Sequence, residues 1–98
     1  MTRQELINRS EACIRQMLRA NLPPQAHVYL YDSRARRDNR WNSDYDLWID
    51  ADISRRTLAE LNEQIEESFV PFKVDIVTTA QLKGHFAERI RQEATPWM

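Results

Sequence analysis

The sequence holds a single glycine, Gly84, in 98 residues. Loops that wrap their backbone around phosphates need several glycines, so a P-loop and a dinucleotide-binding crossover are both excluded. One cysteine, Cys13, rules out an internal disulfide. A lone cysteine on an apolar helix stripe is expected in the core, and a reducing, cytoplasmic setting is the matching expectation. No run approaches the ~20 apolar residues a membrane helix needs. The charged start Met1-Thr2-Arg3-Gln4-Glu5 carries no apolar segment of signal-peptide length. Basic excess is missing too: the net charge is -1, which argues against a general nucleic-acid coat protein. Lysine is scarce, with two against twelve arginines. The planar arginine fork suits carboxylate and phosphate oxygens, although a coding preference would leave the same bias.

What remains is an ordinary globular composition, 42% apolar and 30% charged. A chain of this length is expected to be one domain over 1–98, burying ~60–70% of its unfolded surface around one core and one site. Thr2 and Glu5 make a capping-box pattern ahead of Leu6, Ile7, Ser10, Cys13, Ile14, Met17 and Leu18 at helical spacing. That helix should stop at Pro23-Pro24. His27 to Tyr31 alternates and predicts a strand; Asp32 to Ser43 is polar and predicts a loop, or a short turn followed by one. A second strand is expected over Asp44 to Asp50, with Tyr45, Leu47 and Ile49 on one face and Asp44, Asp46, Trp48 and Asp50 on the other. Ser54 should cap a helix striped by Leu58, Leu61 and Ile65. A third strand is read over Phe72 to Val77, and a last helix from Thr78 or Thr79 with Leu82, Phe86 and Ile90 buried. This order predicts an α/β (α+β) fold: a small mixed sheet of three to four strands with helices packed on one face.

The chemistry concentrates in three carboxylates. Asp44 and Asp46 leave the same strand face ~6–7 Å apart at the backbone. Two acids so close repel unless a cation lies between them, and oxygen-only ligands favour Mg²⁺ or Mn²⁺. Asp75 is the only acid inside the third strand and lies opposite Val74 and Ile76. If that strand neighbours the second, all three converge. Asp-x-Asp alone is weak, because acids at strand ends commonly cap turns or face water.

The preceding loop changes its weight. Tyr31-Asp32-Ser33-Arg34-Ala35-Arg36 opens a segment in which ten residues, Arg34 to Ser43, separate Ser33 from Asp44-Tyr45-Asp46-Leu47. This resembles the Gly-Ser, ten residues, Asp-x-Asp signature of polymerase-beta-like minimal nucleotidyltransferases (MNT). Val74-Asp75-Ile76-Val77 looks like the family's third-carboxylate strand, and Glu88 to Ala94 resembles the tail of its short bacterial members. The resemblance implies a nucleotidyltransferase fold and a two-metal transfer from ATP. It makes Asp44, Asp46 and Asp75 the metal ligands and catalytic carboxylates, with Asp75 helping to deprotonate the acceptor hydroxyl. Ser33 would donate to a terminal phosphate in a nucleotide-binding turn with Asp32, and Arg34 or Arg36 would neutralise the triphosphate. For those arginines, a solvated loop paired with Asp32 or Asp38 is the competing expectation.

The family's glycine is Asp32 here. Its Cβ penalises backbone shapes open to glycine, though Asp tolerates left-handed backbone better than most residues. Its charge ~5 Å from a phosphate costs on the order of 3 kcal/mol at an effective dielectric near 20. A chain of this length is expected to lack a separate domain for a large acceptor, so the acceptor is expected to be very small or to arrive with another chain. The resemblance to stand-alone members implies an antitoxin that forms a hetero-oligomer with an all-helical HEPN toxin, silenced by AMPylation of a tyrosine. The alternative is an antitoxin weakened by Asp32 that acts by binding alone. An RNA-end nucleotidyltransferase using Arg34, Arg36, Arg37 and Arg40 is a third reading, disfavoured by the net charge. Trp41 and Trp97 are expected at an interface and Trp48 in the core. His27 and His85 have no metal-ligand spacing, and the Glu63, Glu66, Glu67 run reads as a solvated helix face.

Overall fold

Thr2 starts the first helix as its spacing predicts: its hydroxyl accepts the Glu5 backbone N–H at 3.1 Å. Helix α1 then runs Arg3–Asn21 and stops two residues before Pro23-Pro24. Pro cannot continue the hydrogen-bond ladder, and the residue before it is pushed into extended geometry. The computed structural model describes residues 1–98. Contacts divide them into two units, Met1–Pro24 with Ile53–Pro71 and Gln25–Asp52 with Phe72–Met98.

The first unit is helical. Helix α3, Arg55–Glu67, begins at Ser54, whose hydroxyl accepts the Thr57 N–H at 3.1 Å. Ser10, Ile14 and Leu18 of α1 and Leu61 and Ile65 of α3 are buried at helical spacing. The end of α1 is tied to α3 where Asn21 Nδ2 donates to Gln64 Oε1 at 2.8 Å. Cys13 is half-buried rather than enclosed; its neighbour Ile14 takes the fully buried position. No helix is long and apolar enough to cross a membrane.

The second unit is a four-stranded mixed sheet in the order β3-β2-β1-β4. Its strands are β1 His27–Leu30, β2 Tyr45–Asp50, β3 Val74–Thr78 and the short β4 Thr95–Pro96. β1 is antiparallel to β2 and to β4, and β2 is parallel to β3. A parallel pair needs a crossover of a dozen or more residues, and the segment holding α3 supplies it. The alternation sorts the faces as expected. Val28, Leu47, Ile49 and Tyr45 are fully buried on one. The other carries Tyr29, Tyr31, Trp48 and Val77, against which Leu82, Ala87 and Ile90 pack.

Two elements differ from the sequence reading. Residues after β3 do not form one helix. Thr78 and Gln81 close a capping box over a 3₁₀ turn, Thr79–Gln81, and helix α4 starts afresh at Gly84 and ends at Glu93. Its buried stripe is Ala87 and Ile90, so Phe86 is displaced to a 41% exposed position. The break has a local cause, since Gly84 at φ +60 cannot lie within a continuous helix. β4 has no counterpart among the expected elements; Pro96 tolerates an edge position because an edge strand does not use every N–H.

Candidate active site

β1 ends where β2 and β3 begin, and the acids collect at that end. Tyr31, just beyond β1, donates its backbone N–H to the Asp46 carbonyl at 3.0 Å. On the other side of β2, Asp46 and Asp75 are register partners in the parallel ladder. Partners across neighbouring strands project to one face with backbones ~4.8 Å apart, so the two carboxylates stand side by side. Asp44 precedes the strand at the same parity and is exposed.

The electrostatics carry the imprint of that crowding. Burial first, then the charges of Asp32, Asp75 and Asp44, push the Asp46 carboxyl up to about 6, with Lys73 pulling it back. Burial also raises the Tyr31 phenol to about 12, helped by Asp46, Asp75 and Asp32 and opposed by Arg89. Lys73 Nζ stands 3.6 Å from Asp75 Oδ2, an exposed pair of little weight for stability.

The carboxylates do not form a ready cage: no three His, Cys, Asp or Glu side chains are grouped as they would be around a metal ion. Asp46 and Asp75 nonetheless offer oxygen donors at a site short of positive charge. That fits Mg²⁺, which commonly takes one or two protein carboxylates and completes its shell with water and substrate phosphates.

The turn beside them is held unusually. Asp32 has φ 63 and ψ -144, and the short helix α2, Ser33–Arg36, follows it. This lies outside the left-handed helical region that Asp tolerates, in a region that is essentially glycine's. The chain thus adopts the backbone of the missing glycine and keeps the side chain. Glu93 of α4 reaches this turn: its Oε2 accepts the Asp32 backbone N–H at 3.3 Å. Arg36 Nη1 reaches Asp32 Oδ1 at 2.9 Å and both Glu93 oxygens at 3.2 Å, while its Nε donates to Asp38 at 3.0 Å. Arg89 lies 3.8 Å from Asp32. A second non-glycine, Arg37 at φ 62, closes α2.

Arg34 is engaged elsewhere. Its guanidinium donates to the carbonyls of Ser43 and Trp41 and lies over the Tyr45 ring, 3.8 Å from the centroid. It fastens the loop that delivers Asp44. Replacing it with Lys, which lacks the planar fork, is expected to lower stability by ~1–2 kcal/mol, read as a lower urea midpoint with an unchanged slope.

Of the residues singled out from sequence, Asp46 and Asp75 are brought side by side, Asp44 and the Asp32–Ser33 turn lie at the same sheet end, and both Arg34 and Arg36 are committed within the protein. Trp48 is in the core, stacked on Tyr29 at 4.7 Å. Trp41 is 39% exposed and meets Phe72 edge-on; Trp97 is half-buried beside Tyr45. His27 and His85 are both exposed. Sequence reasoning missed Tyr31, Lys73, Arg89 and Glu93. A signal existed for Arg89 alone: an acid in place of a turn glycine calls for a nearby cation, and Arg89 lies 3.8 Å from Asp32.

Comparison with known proteins bears on the family and the fold. The family model described as "Polymerase beta, Nucleotidyltransferase" matches residues 13–96. No curated protein matches the chain. Among solved structures, one described as a minimal nucleotidyltransferase is 27% identical, with a TM-score of 0.67 over 99% of this chain and 97% of that one. A toxin–antitoxin crystal structure with AMP-PNP is 22% identical, TM-score 0.69, covering 88% of this chain and 70% of that one. A tri-AMPylated Shewanella oneidensis HEPN toxin in complex with an MNT antitoxin is 18% identical, TM-score 0.65, covering 97% and 71%.

Proposed function

The chain belongs to the polymerase-beta nucleotidyltransferase family, and on that premise we propose that it transfers AMP from ATP to a tyrosine hydroxyl of a HEPN-type toxin partner, acting as its antitoxin. The observation that carries the reading is the register of Asp46 with Asp75 on one sheet face, beside the Asp32–Ser33 turn.

The roles follow from the positions. Asp44, Asp46 and Asp75 are the residues that would hold divalent cations, Mg²⁺ or Mn²⁺. Bound there, such ions neutralise charge on the attacking and leaving oxygens. The acceptor oxygen forms a bond to the α-phosphorus, the bond from that phosphorus to the bridging oxygen breaks, and pyrophosphate leaves. Asp75, carried on the edge strand β3, takes the hydroxyl proton. Ser33 donates to the terminal phosphate. Toxin–antitoxin architectures among the fold's relatives support the choice of a protein acceptor.

One observation favours a second reading, in which the antitoxin acts by binding alone: the phosphate-facing turn carries an acid and a carboxylate from α4 at its N–H. One assay separates the two. The chain is incubated with ATP, Mg²⁺ and the partner, and the partner is weighed intact. Added AMP is the expected result. A stable complex of unchanged mass supports occlusion and overturns the transfer reading; tailing of added RNA, without change to the protein, replaces it with RNA-end chemistry.

A further inference from the structure

Glu93 stands where a helix does not favour a carboxylate. It is the last residue of α4, at the end whose unpaired carbonyls give the helix a partial negative charge. Something other than the helix must hold it there, and the contacts name it. Glu93 Oε2 accepts the Asp32 N–H at 3.3 Å, and both its oxygens take Arg36 Nη1 at 3.2 Å. A carboxylate that accepts from a backbone N–H and a guanidinium at one turn does what a phosphate oxygen would do.

We propose that Glu93 sets the nucleotide affinity of this chain by occupying, in the nucleotide-free protein, the donors that the triphosphate takes when it binds. The inference rests on the nucleotidyltransferase reading and adds an internal competitor to it. The charges around the turn make the competition necessary. Three acids, Asp32, Asp38 and Glu93, share two cations, Arg36 and Arg89, which leaves the cluster at -1. A triphosphate entering such a cluster meets net repulsion. Swinging Glu93 outward neutralises the cluster and releases the Asp32 N–H and one edge of Arg36 together. The Asp32 N–H bond is near the long limit for N–H to oxygen, so its release costs little. Glu93 ends its helix, and terminal turns fray readily.

Removing a residue that merely positions the turn would weaken nucleotide binding; removing a competitor strengthens it. The sign of the effect is the test. Wild type, Glu93→Gln and Glu88→Gln are titrated by calorimetry with AMP-PNP and Mg²⁺, and with inorganic tripolyphosphate. Glu88 pairs with exposed His85 on the same helix, so its variant removes one charge without touching the turn. Glu93→Gln is expected to bind both probes three- to tenfold tighter, with Glu88→Gln unchanged. Glu93→Asp, one methylene shorter, is expected to fall between wild type and Gln; it carries the test should the Gln variant not fold. If wild type binds AMP-PNP but Glu93→Gln binds it equally or more weakly, the competitor is disproved and the transfer reading stands. Equal tightening by Glu88→Gln reduces the effect to bulk charge and also disproves it. Absence of AMP-PNP binding in every variant overturns both.

Discussion

Asp46→Asn is expected to remove nucleotidyl transfer while raising the melting temperature of the metal-free protein. The two effects share one cause. At pH 7.5 the Asp46 carboxylate is ionised, half-buried and faced by Asp32, Asp75 and Asp44. Its folded pKa of about 6 lies above the ~3.9 of an unfolded chain. A raised folded value means that the stability tied to the protonated form is fully present below about 3.9 and is lost as pH rises through about 6. Taken unscreened, that difference is worth about 3 kcal/mol; solvent screening at a half-exposed site brings it to about 1–2 kcal/mol. For a domain near a hundred residues, that corresponds to roughly 5–10 °C in melting temperature. Asn has nearly the same shape and no charge, so the gain appears at pH 7.5 in chelator and shrinks by pH 4.5, where wild type is itself protonated. On the functional side, Asn is a poor cation ligand, and losing one preorganised charge stabiliser costs on the order of a hundred- to a thousandfold in rate. Paired thermal melts and the intact-mass assay read both. An Asn variant less stable than wild type at pH 7.5 would remove the like-charge account of this site, and one that retains full transfer would remove Asp46 from the chemistry.

Such trade-offs mark the places where sequence reasoning succeeds and fails. The strand alternation that set Asp46 against Leu47 and Ile49 is local, and it survived folding because a one-residue slip would turn every apolar side chain out of the core. Helix starts at Thr2 and Ser54 were legible because each cap is a contact within three residues. The register of Asp46 with Asp75 was conditional on two strands being neighbours, which no local pattern states. The last helix misled for a related reason. Leu82, Phe86 and Ile90 fit a helical period, but Gly84 breaks the chain between them, and Leu82 is buried from outside the helix. Short pairing segments such as Thr95–Pro96 carry too few residues to show a period at all. The contact of Glu93 with Asp32 spans sixty-one positions.

Asp32→Gly is expected to tighten nucleotide binding more than any other single change, by roughly ten- to a hundredfold, without loss of stability. Two separable effects act at this residue. The first is conformational: φ 63 with ψ -144 is a region that costs a side-chain-bearing residue about 1–3 kcal/mol. Glycine releases that strain, offset by its greater unfolded-state freedom of roughly 0.5–1 kcal/mol and by exposed ion pairs to Arg36 and Arg89 worth at most about 1 kcal/mol each. The balance leaves stability near wild type. The second effect is charge. A carboxylate ~5 Å from a phosphate charge costs about 3 kcal/mol at an effective dielectric near 20, and the two arginines offset part of it. Removing Asp32 deletes the repulsion and leaves Arg36 and Arg89 for the incoming anion. Asp32→Asn tells the two apart, because it keeps the Cβ and discards the charge. It should gain most of the affinity of the glycine variant while recovering none of the strain. Calorimetric titration with AMP-PNP and Mg²⁺, beside thermal melts of the three proteins, gives both quantities. Equal affinity in all three would mean that the turn does not face the phosphates. Tightening in the glycine variant alone would assign the penalty to backbone shape, with the arginines already cancelling the charge.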